Sequence, residues 1–129
     1  LSTRLISIKW IEKGERVGYS GTYICPARMR VGVAAIGYGD GYPRHASGNG
    51  ARVWIRDRHV PILGRVTMDQ LMVDVTACDE VSEGDEVELF GSHIPVTELA
   101  TQAETIAWEI FTGITPRVVR CYTSAHRDR

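Results

Sequence analysis

MRVGVAAIGYGDGYPR, residues 29–44, decides how the rest of the chain is read. Its first half, from Met29 through Val31, Val33, Ala34, Ala35 and Ile36, is a nearly continuous apolar run, the pattern of a central strand. Its second half opens a segment, residues 37–50, that holds five of the thirteen glycines together with Pro43. Glycine at that density breaks any regular element, so a loop must follow the strand.

A central strand needs neighbours, and the flanking sequence offers them. Leu5, Ile6 and Ile8 mark a strand over residues 4–9, closed by the Lys13-Gly14 turn, and residues 22–25 are a short β-prone piece stopped by Pro26. Val53-Trp54-Ile55 and Val60-Pro61-Ile62-Leu63 flank the polar Arg56-Asp57-Arg58-His59, which reads as a hairpin with Pro61 confined to an edge or a bulge. Over residues 66–75, Leu71, Val73 and Val75 alternate with Met72 and Asp74, and a turn at residues 82–85 precedes a strand over 86–90. Residues 117–122 read as a last strand. Pro95-Val96-Thr97-Glu98 is a helix-start signal with Thr97 as N-cap, and Leu99, Ala103, Ile106 and Ile110 follow at helical spacing. Thr105 is a second capping residue, so one helix or two fit residues 97–112, with Gly113 as terminator. The predicted fold is mainly β, a small β-barrel or sandwich of short, mostly antiparallel strands with one or two short helices near the C-terminus. At 129 residues it forms a single domain spanning residues 1–129.

Bulk chemistry narrows the function. A net charge of −1 argues against a nucleic-acid partner, which would call for a basic excess. No stretch approaches the roughly 18 apolar residues of a membrane span, and the first residues lack the plan of a signal peptide. Cys25, Cys78 and Cys121 form neither a disulfide framework nor a zinc motif, which points to a reducing, cytoplasmic setting. None of His45, His59, His93 and His126 stands at metal-ligand spacing with another, so no metal is expected, and Trp10, Trp54 and Trp108 read as packing anchors.

The residues with chemical promise fall in two segments. In the first, Tyr19, Tyr23, Tyr38 and Tyr42 stand among glycines, in GYSGTY (residues 18–23) and GYGDGYPR (residues 37–44). Small neighbours leave a phenol uncovered, and glycine lets backbone approach a ligand. The run at Gly37, Gly39 and Gly41 lacks the spacing and the following helix of a dinucleotide loop, and Asp40 reads as an Asx-type turn. In the second, Arg65, Asp69 and Gln70 interrupt the apolar residues 61–75. Two readings fit: Arg65 and Asp69 pair across a bend, or the bend lines a pocket or an interface.

Together the blocks GERVGYSGTY, VGVAAIGYGDGYPR, PILGRVTMDQLMVDV, VSEGDEVELFG and TIAWEIFTGITPRV, in this order, resemble the C-terminal domain of bacterial alanine racemases over essentially the whole chain. The resemblance implies an isomerase that interconverts L- and D-alanine as a cytoplasmic homodimer, supplying D-alanine for cell-wall peptidoglycan. Its pyridoxal phosphate is carried on a lysine of an N-terminal (β/α)8 barrel domain that this chain lacks, and acts as an electron sink. By its motif Tyr19 corresponds to the tyrosine base that the C-terminal domain offers to the partner subunit's site. Met68 corresponds to the position whose backbone contacts the substrate carboxylate, with Asp69 beside it. Tyr38 corresponds to a tyrosine at the narrow entrance, and Arg44 and Arg65 to charged positions further out, where they attract an amino-acid carboxylate. Pro116 stands where some members have a tyrosine that reaches the cofactor phosphate. The lysines here are Lys9, ending an edge-like strand, and Lys13, in an exposed turn. This chain by itself is therefore expected neither to hold the cofactor nor to turn over alanine. The rival reading is a standalone β-barrel module that binds protein or RNA. An apolar patch near Tyr19, Tyr38 and Met68 is expected where the missing domains would sit.

Overall fold

The computed structural model describes residues 1–17 and 23–123. Six antiparallel strands close into a barrel in the order β1 (Ser2–Ile11), β4 (Met29–Ala34), β7 (Leu71–Asp74), β6 (Arg58–Leu63), β5 (Arg52–Ile55) and β8 (Glu86–Glu88), which pairs back onto β1. A separate two-stranded ribbon pairs β2 (Arg16–Val17) with β3 (Tyr23–Ile24). Two helices follow the barrel, α1 (Val96–Gln102) and α2 (Ala107–Gly113).

The apolar pattern explains the closure. β5 and β7 bury alternate residues, Val53 and Ile55 on one and Leu71 and Val73 on the other, so one face of each lines the interior. β4 carries Gly32 at its middle, where a Cβ would stand 3.0 Å from Leu5 Cδ2 and 3.1 Å from Val73 Cγ2. The missing side chain makes room for two larger ones from the neighbouring strands. β1 is long because it serves two partners in succession: Ser2–Arg4 pair with β8, whereas Leu5–Ile11 pair with β4. The register shifts between Leu5 and Ser7, and the bulged Ile6 is left outside, half exposed. α1 closes the barrel with Leu99 and Ala100, and α2 adds Ile110 to the same core.

Several local expectations change on folding. β4 ends at Ala34 because the Ile36 N–H donates to Ala34 O at 2.9 Å and turns the chain. Residues 66–70 are not strand. The Thr67 hydroxyl accepts from the Gln70 N–H at 3.2 Å and donates to Gln70 O at 2.9 Å, folding them into a tight loop before β7. Residues 117–122 are not strand either, since the closed barrel offers no free edge to receive one. Arg120 instead donates to the carbonyls of Ile114, Thr115 and Val118 and fixes the turn there. Pro61 lies within β6, between β5 and β7, rather than on an edge. Its missing N–H costs nothing because the β6–β7 ladder begins only at Ile62. There are two helices, and neither begins at the expected threonine. Pro95 and Ile106 occupy the N-cap positions, and Glu104, at φ 58°, breaks the path between them.

Of the tryptophans, Trp54 stacks on His93 with ring centroids 4.2 Å apart, and Trp10 lies under the Arg28 guanidinium at 4.4 Å. Trp108 anchors nothing, standing out from α2. Cys25 and Cys78 are buried and Cys121 is exposed, all as free thiols.

Tyr42 is fully buried, and its hydroxyl has no hydrogen-bond partner among the described residues. Desolvation, with a smaller contribution from the Glu98 charge, pushes its phenol far above the ordinary range. An unpaired buried hydroxyl weakens a fold, so Tyr42→Phe should leave stability unchanged or raise it by up to about 1 kcal/mol. A urea midpoint that falls in this variant would show that the hydroxyl is satisfied after all.

Candidate functional site

The two glycine- and charge-rich segments of the sequence meet at one end of β4. Just beyond that strand, residues Tyr38–Asp40 form a single 3-10 turn. Its geometry follows from Asp40, whose carboxylate accepts the Gly37 N–H at 3.0 Å while the Asp40 N–H donates to Gly37 O at 3.0 Å. Gly41, at φ 103°, ends the turn in a conformation that favours glycine.

This turn lies directly on the loop before β7. The Tyr38 N–H donates to Thr67 O and the Gly39 N–H donates to Met68 O, both at 2.9 Å. A Cβ on Gly37 would overlap the Thr67 and Met68 carbonyls, and one on Gly39 would overlap Met68 and the Arg117 guanidinium. A Cβ on Gly41 would overlap the backbone of Gly113 and Ile114 at the end of α2. Alternate glycines therefore allow three backbone segments to touch, with Tyr38 projecting from between two of them.

Arg117 locks the arrangement. Its Nε lies 3.3 Å from Asp40 Oδ1 and its Nη2 donates to Asp69 Oδ1 at 2.6 Å, so one guanidinium spans both loops. The Asp69 hydrogen bond, ahead of the Asp40 charge, holds Arg117 still more firmly protonated than usual. Thr115 completes the join, with its hydroxyl donating to Gly39 O at 2.8 Å and its N–H to Asp40 O at 3.1 Å. Tyr38 and Met68 remain 42% and 50% exposed on this braced surface. The Met68 carbonyl is occupied by Gly39, but the Met68 N–H meets no acceptor among the described residues.

This chain matches the family model for the alanine racemase C-terminal domain over residues 1–122. The chain belongs to the alanine racemase C-terminal domain family. The alanine racemase of Nitrosococcus oceani is 46% identical over 120 residues, which make up 93% of this chain and 33% of that protein. Among solved structures, the biosynthetic alanine racemase of Pseudomonas aeruginosa superposes with a TM-score of 0.89 at 39% identity, over 95% of this chain and 34% of the other. The alanine racemase of Bartonella henselae, solved with covalently bound pyridoxal phosphate, gives 0.89 at 33% identity, over 95% and 34%. The chain thus spans about a third of the length of the alanine racemases it matches.

Set on the alanine racemase domain, the expected site residues divide. Tyr38, Met68 and Asp69 come together as described. Arg44 and Arg65 are exposed on two adjoining loops joined by Ser47, whose N–H donates to Arg44 O at 3.0 Å and whose hydroxyl accepts the Val66 N–H at 2.8 Å. Arg65 does not pair with Asp69, because Asp69 is taken by Arg117. Tyr19 lies outside the described residues. Tyr23 is half buried and directs its hydroxyl to Met29 Sδ at 3.9 Å. Sequence reasoning missed Arg117 and Thr115, which lie far along the chain from the loops they join. It also confined Asp40 to its own turn. The only sequence signal for Arg117 was a lone arginine beside Pro116, which has many readings. Among the described residues no helix is long and apolar enough to cross a membrane, and no cluster of His, Cys, Asp or Glu side chains is arranged to hold a metal ion.

The close approach gives a direct test. Gly39→Ala forces a methyl group onto Met68 and Arg117, and the cost should be about 1–3 kcal/mol, read as a lower urea midpoint. Gly113→Ala serves as the control for side-chain bulk, because nothing lies within 4 Å of its Cβ position and its φ lies outside the left-handed range. Equal effects in the two variants would refute steric contact at Gly39.

Proposed function

We propose that this chain is the C-terminal β-domain of a pyridoxal-phosphate-dependent alanine racemase, and that it supplies catalytic and entrance residues to a site shared with the partner subunit of a homodimer. The observation that carries the reading is the braced junction of the Tyr38 turn with the Thr67–Met68 backbone. It leaves a main-chain N–H at Met68 unused beside an exposed phenol. A free backbone donor on a rigid loop suits a carboxylate, and it explains why an apolar side chain serves at this position. Asp69, tied to Arg117, holds that loop in place rather than facing the substrate as a free charge. Arg44 and Arg65, exposed on adjoining loops, add positive charge along the route of an incoming amino acid.

The residues of this chain do not fit a covalent seat for the cofactor. β1 runs antiparallel to β4, with Lys9 opposite Val31 near the start of β4, whereas the Tyr38 turn follows the other end of that strand. Lys13 sits beyond Lys9 in the turn whose Gly14 N–H donates to Cys25 O at 2.8 Å, further still from the junction. The cofactor lysine therefore belongs to the remainder of the full-length polypeptide, an N-terminal barrel domain. Membership of a family whose relatives are three times longer supports this reading over a standalone binding module.

Tyr19, by its GYSGTY motif, is the acid–base group for one face of the substrate. Its phenolate oxygen accepts the α-proton of L-alanine, and the phenol so formed returns a proton to the same face in the reverse direction. A free phenol titrates near about 10, so a cation contributed by the barrel must stabilise its ionised form. The test is hydrogen exchange rather than net turnover. L- and D-alanine are mirror images with an equilibrium constant of unity, so losing either acid–base group slows both directions together. In the full-length enzyme, Tyr19→Phe should reduce racemisation by about 10²–10⁴-fold and abolish exchange of the L-alanine α-hydrogen with deuterated solvent. Exchange of the D-alanine α-hydrogen and the visible absorbance of the cofactor should persist. Retained exchange from L-alanine would remove Tyr19 from this role.

A further inference from the structure

We infer that the outer face of α2, formed by Ile106, Trp108 and Phe111, is the seat of the polypeptide that precedes Leu1 in the full-length protein, so that the upstream domain docks on this helix. The inference rests on the proposed two-domain racemase and names the surface through which the two domains meet.

α2 is apolar on two sides. Ile110 faces the barrel core and is buried. Trp108 and Phe111, three positions apart and therefore neighbours on the helix surface, point elsewhere and are 78% and 55% exposed, with Ile106 at the N-cap 63% exposed. A helix that needs only one partner carries one apolar stripe, and a second stripe calls for a second partner. A tryptophan so fully exposed beside a phenylalanine is a contact surface waiting for its complement. Ile24, Val119 and Tyr122 are exposed away from this helix, and the remaining exposed apolar groups have a local account. Trp10 is covered by the Arg28 guanidinium, Ile6 is the bulged residue of β1, and Tyr38 and Met68 belong to the substrate site.

The start of the chain identifies the occupant. The Leu1 nitrogen donates to Phe90 O at 2.8 Å, while the Leu89 N–H donates to Leu1 O at 2.8 Å, so Leu1 continues the β1–β8 ladder. The ring of Phe90 meets Phe111 edge to face, with centroids 5.8 Å apart at 74°. A peptide extending upstream from Leu1 therefore emerges at the residue that touches α2. The chain covers only 34% of the Pseudomonas aeruginosa racemase it superposes on, which leaves a body twice its own size to be placed. Covering Trp108 and Phe111 with that body needs no long connection.

The experiment is cysteine accessibility in the full-length polypeptide. In a Cys121→Ser background, Trp108→Cys is labelled with a maleimide and compared with Glu83→Cys, on the exposed turn before β8, with the labelled site located by peptide mass mapping. Docking predicts labelling at position 108 at least about tenfold slower than at position 83 and independent of protein concentration, because reaction must wait for local opening. Equal rates at the two positions overturn the inference. Protection that disappears on dilution also overturns it, since the occupant would then be a second copy of the protein. Hydroxyl-radical footprinting of unsubstituted Trp108 in the same full-length protein gives the answer should the cysteine variant not fold. Protection from oxidation supports docking, and oxidation as extensive as in the denatured protein refutes it. The racemase reading is judged separately, by α-hydrogen exchange of the parent enzyme. An active enzyme with a freely labelled position 108 would sink the docking surface alone, and a protected position in an enzyme inert toward alanine would sink the function alone.

Discussion

The site depends on one close approach of backbone to backbone. Tyr38 and Gly39 hydrogen-bond to Thr67 and Met68 at a separation that no side chain at Gly37 or Gly39 would permit. Such contact is enthalpically sound, since each N–H finds a carbonyl, and the buried side chains of Ile36, Tyr42 and Val66 root the two loops in the core. Arg117 ties their exposed parts together. A planar guanidinium with several donors can bridge two carboxylates on different loops, which a lysine ammonium on a flexible stem does less rigidly. The pair is half exposed, so its contribution to stability is modest, and its value lies in fixing where Tyr38 and Met68 stand relative to each other.

The barrel makes that junction possible. Closure places the end of β4 next to the start of β7, since the two strands are paired, and the loops leaving them must meet at the same rim. Chain segments that are distant in sequence, residues 37–42, 66–70 and 113–117, converge there with the end of α2 beneath Gly41. Function at such a rim is compatible with a rigid core because the loops are short and tied down by their own turns: Asp40 to Gly37 in one, Thr67 to Gln70 in the other. A domain built this way presents preorganised groups at its surface, and it spans a third of the length of the alanine racemases it matches.

The same architecture explains why the exposed apolar residues are unevenly placed. Those on the barrel wall stand singly, Ile6 at the β1 bulge and Trp10 beneath Arg28. Those on α2 are clustered and uncovered, next to the strand where the chain begins. The short helices close the barrel with one side and leave the apolar residues of α2 exposed on the other.

Sequence alone determined the class of fold and singled out Tyr38, Met68 and Asp69, which meet at the candidate site, but not Arg117 and Thr115, which join them. Alternating and continuous apolar runs reported strands because burial on a pleated surface has a period of two, and the strands of β4, β5, β6 and β7 fall where those runs lie. The glycine pattern over residues 37–41 marked a place where backbone is approached closely, although not by what. Local signals failed where tertiary closure decided the outcome. Residues 117–122 have strand-like composition yet find no edge to pair with, and residues 66–70 fold into a loop because the Thr67 hydroxyl competes for the backbone of Gln70. Thr97 and Thr105 look like caps, but a cap needs its side chain aimed at free N–H groups, and the chain enters both helices away from the expected threonine. Only the folded molecule could show that Asp69 pairs with Arg117 rather than with Arg65. The two partners lie 48 residues apart, and no local rule links charges at that separation until a closed barrel brings their loops to one rim.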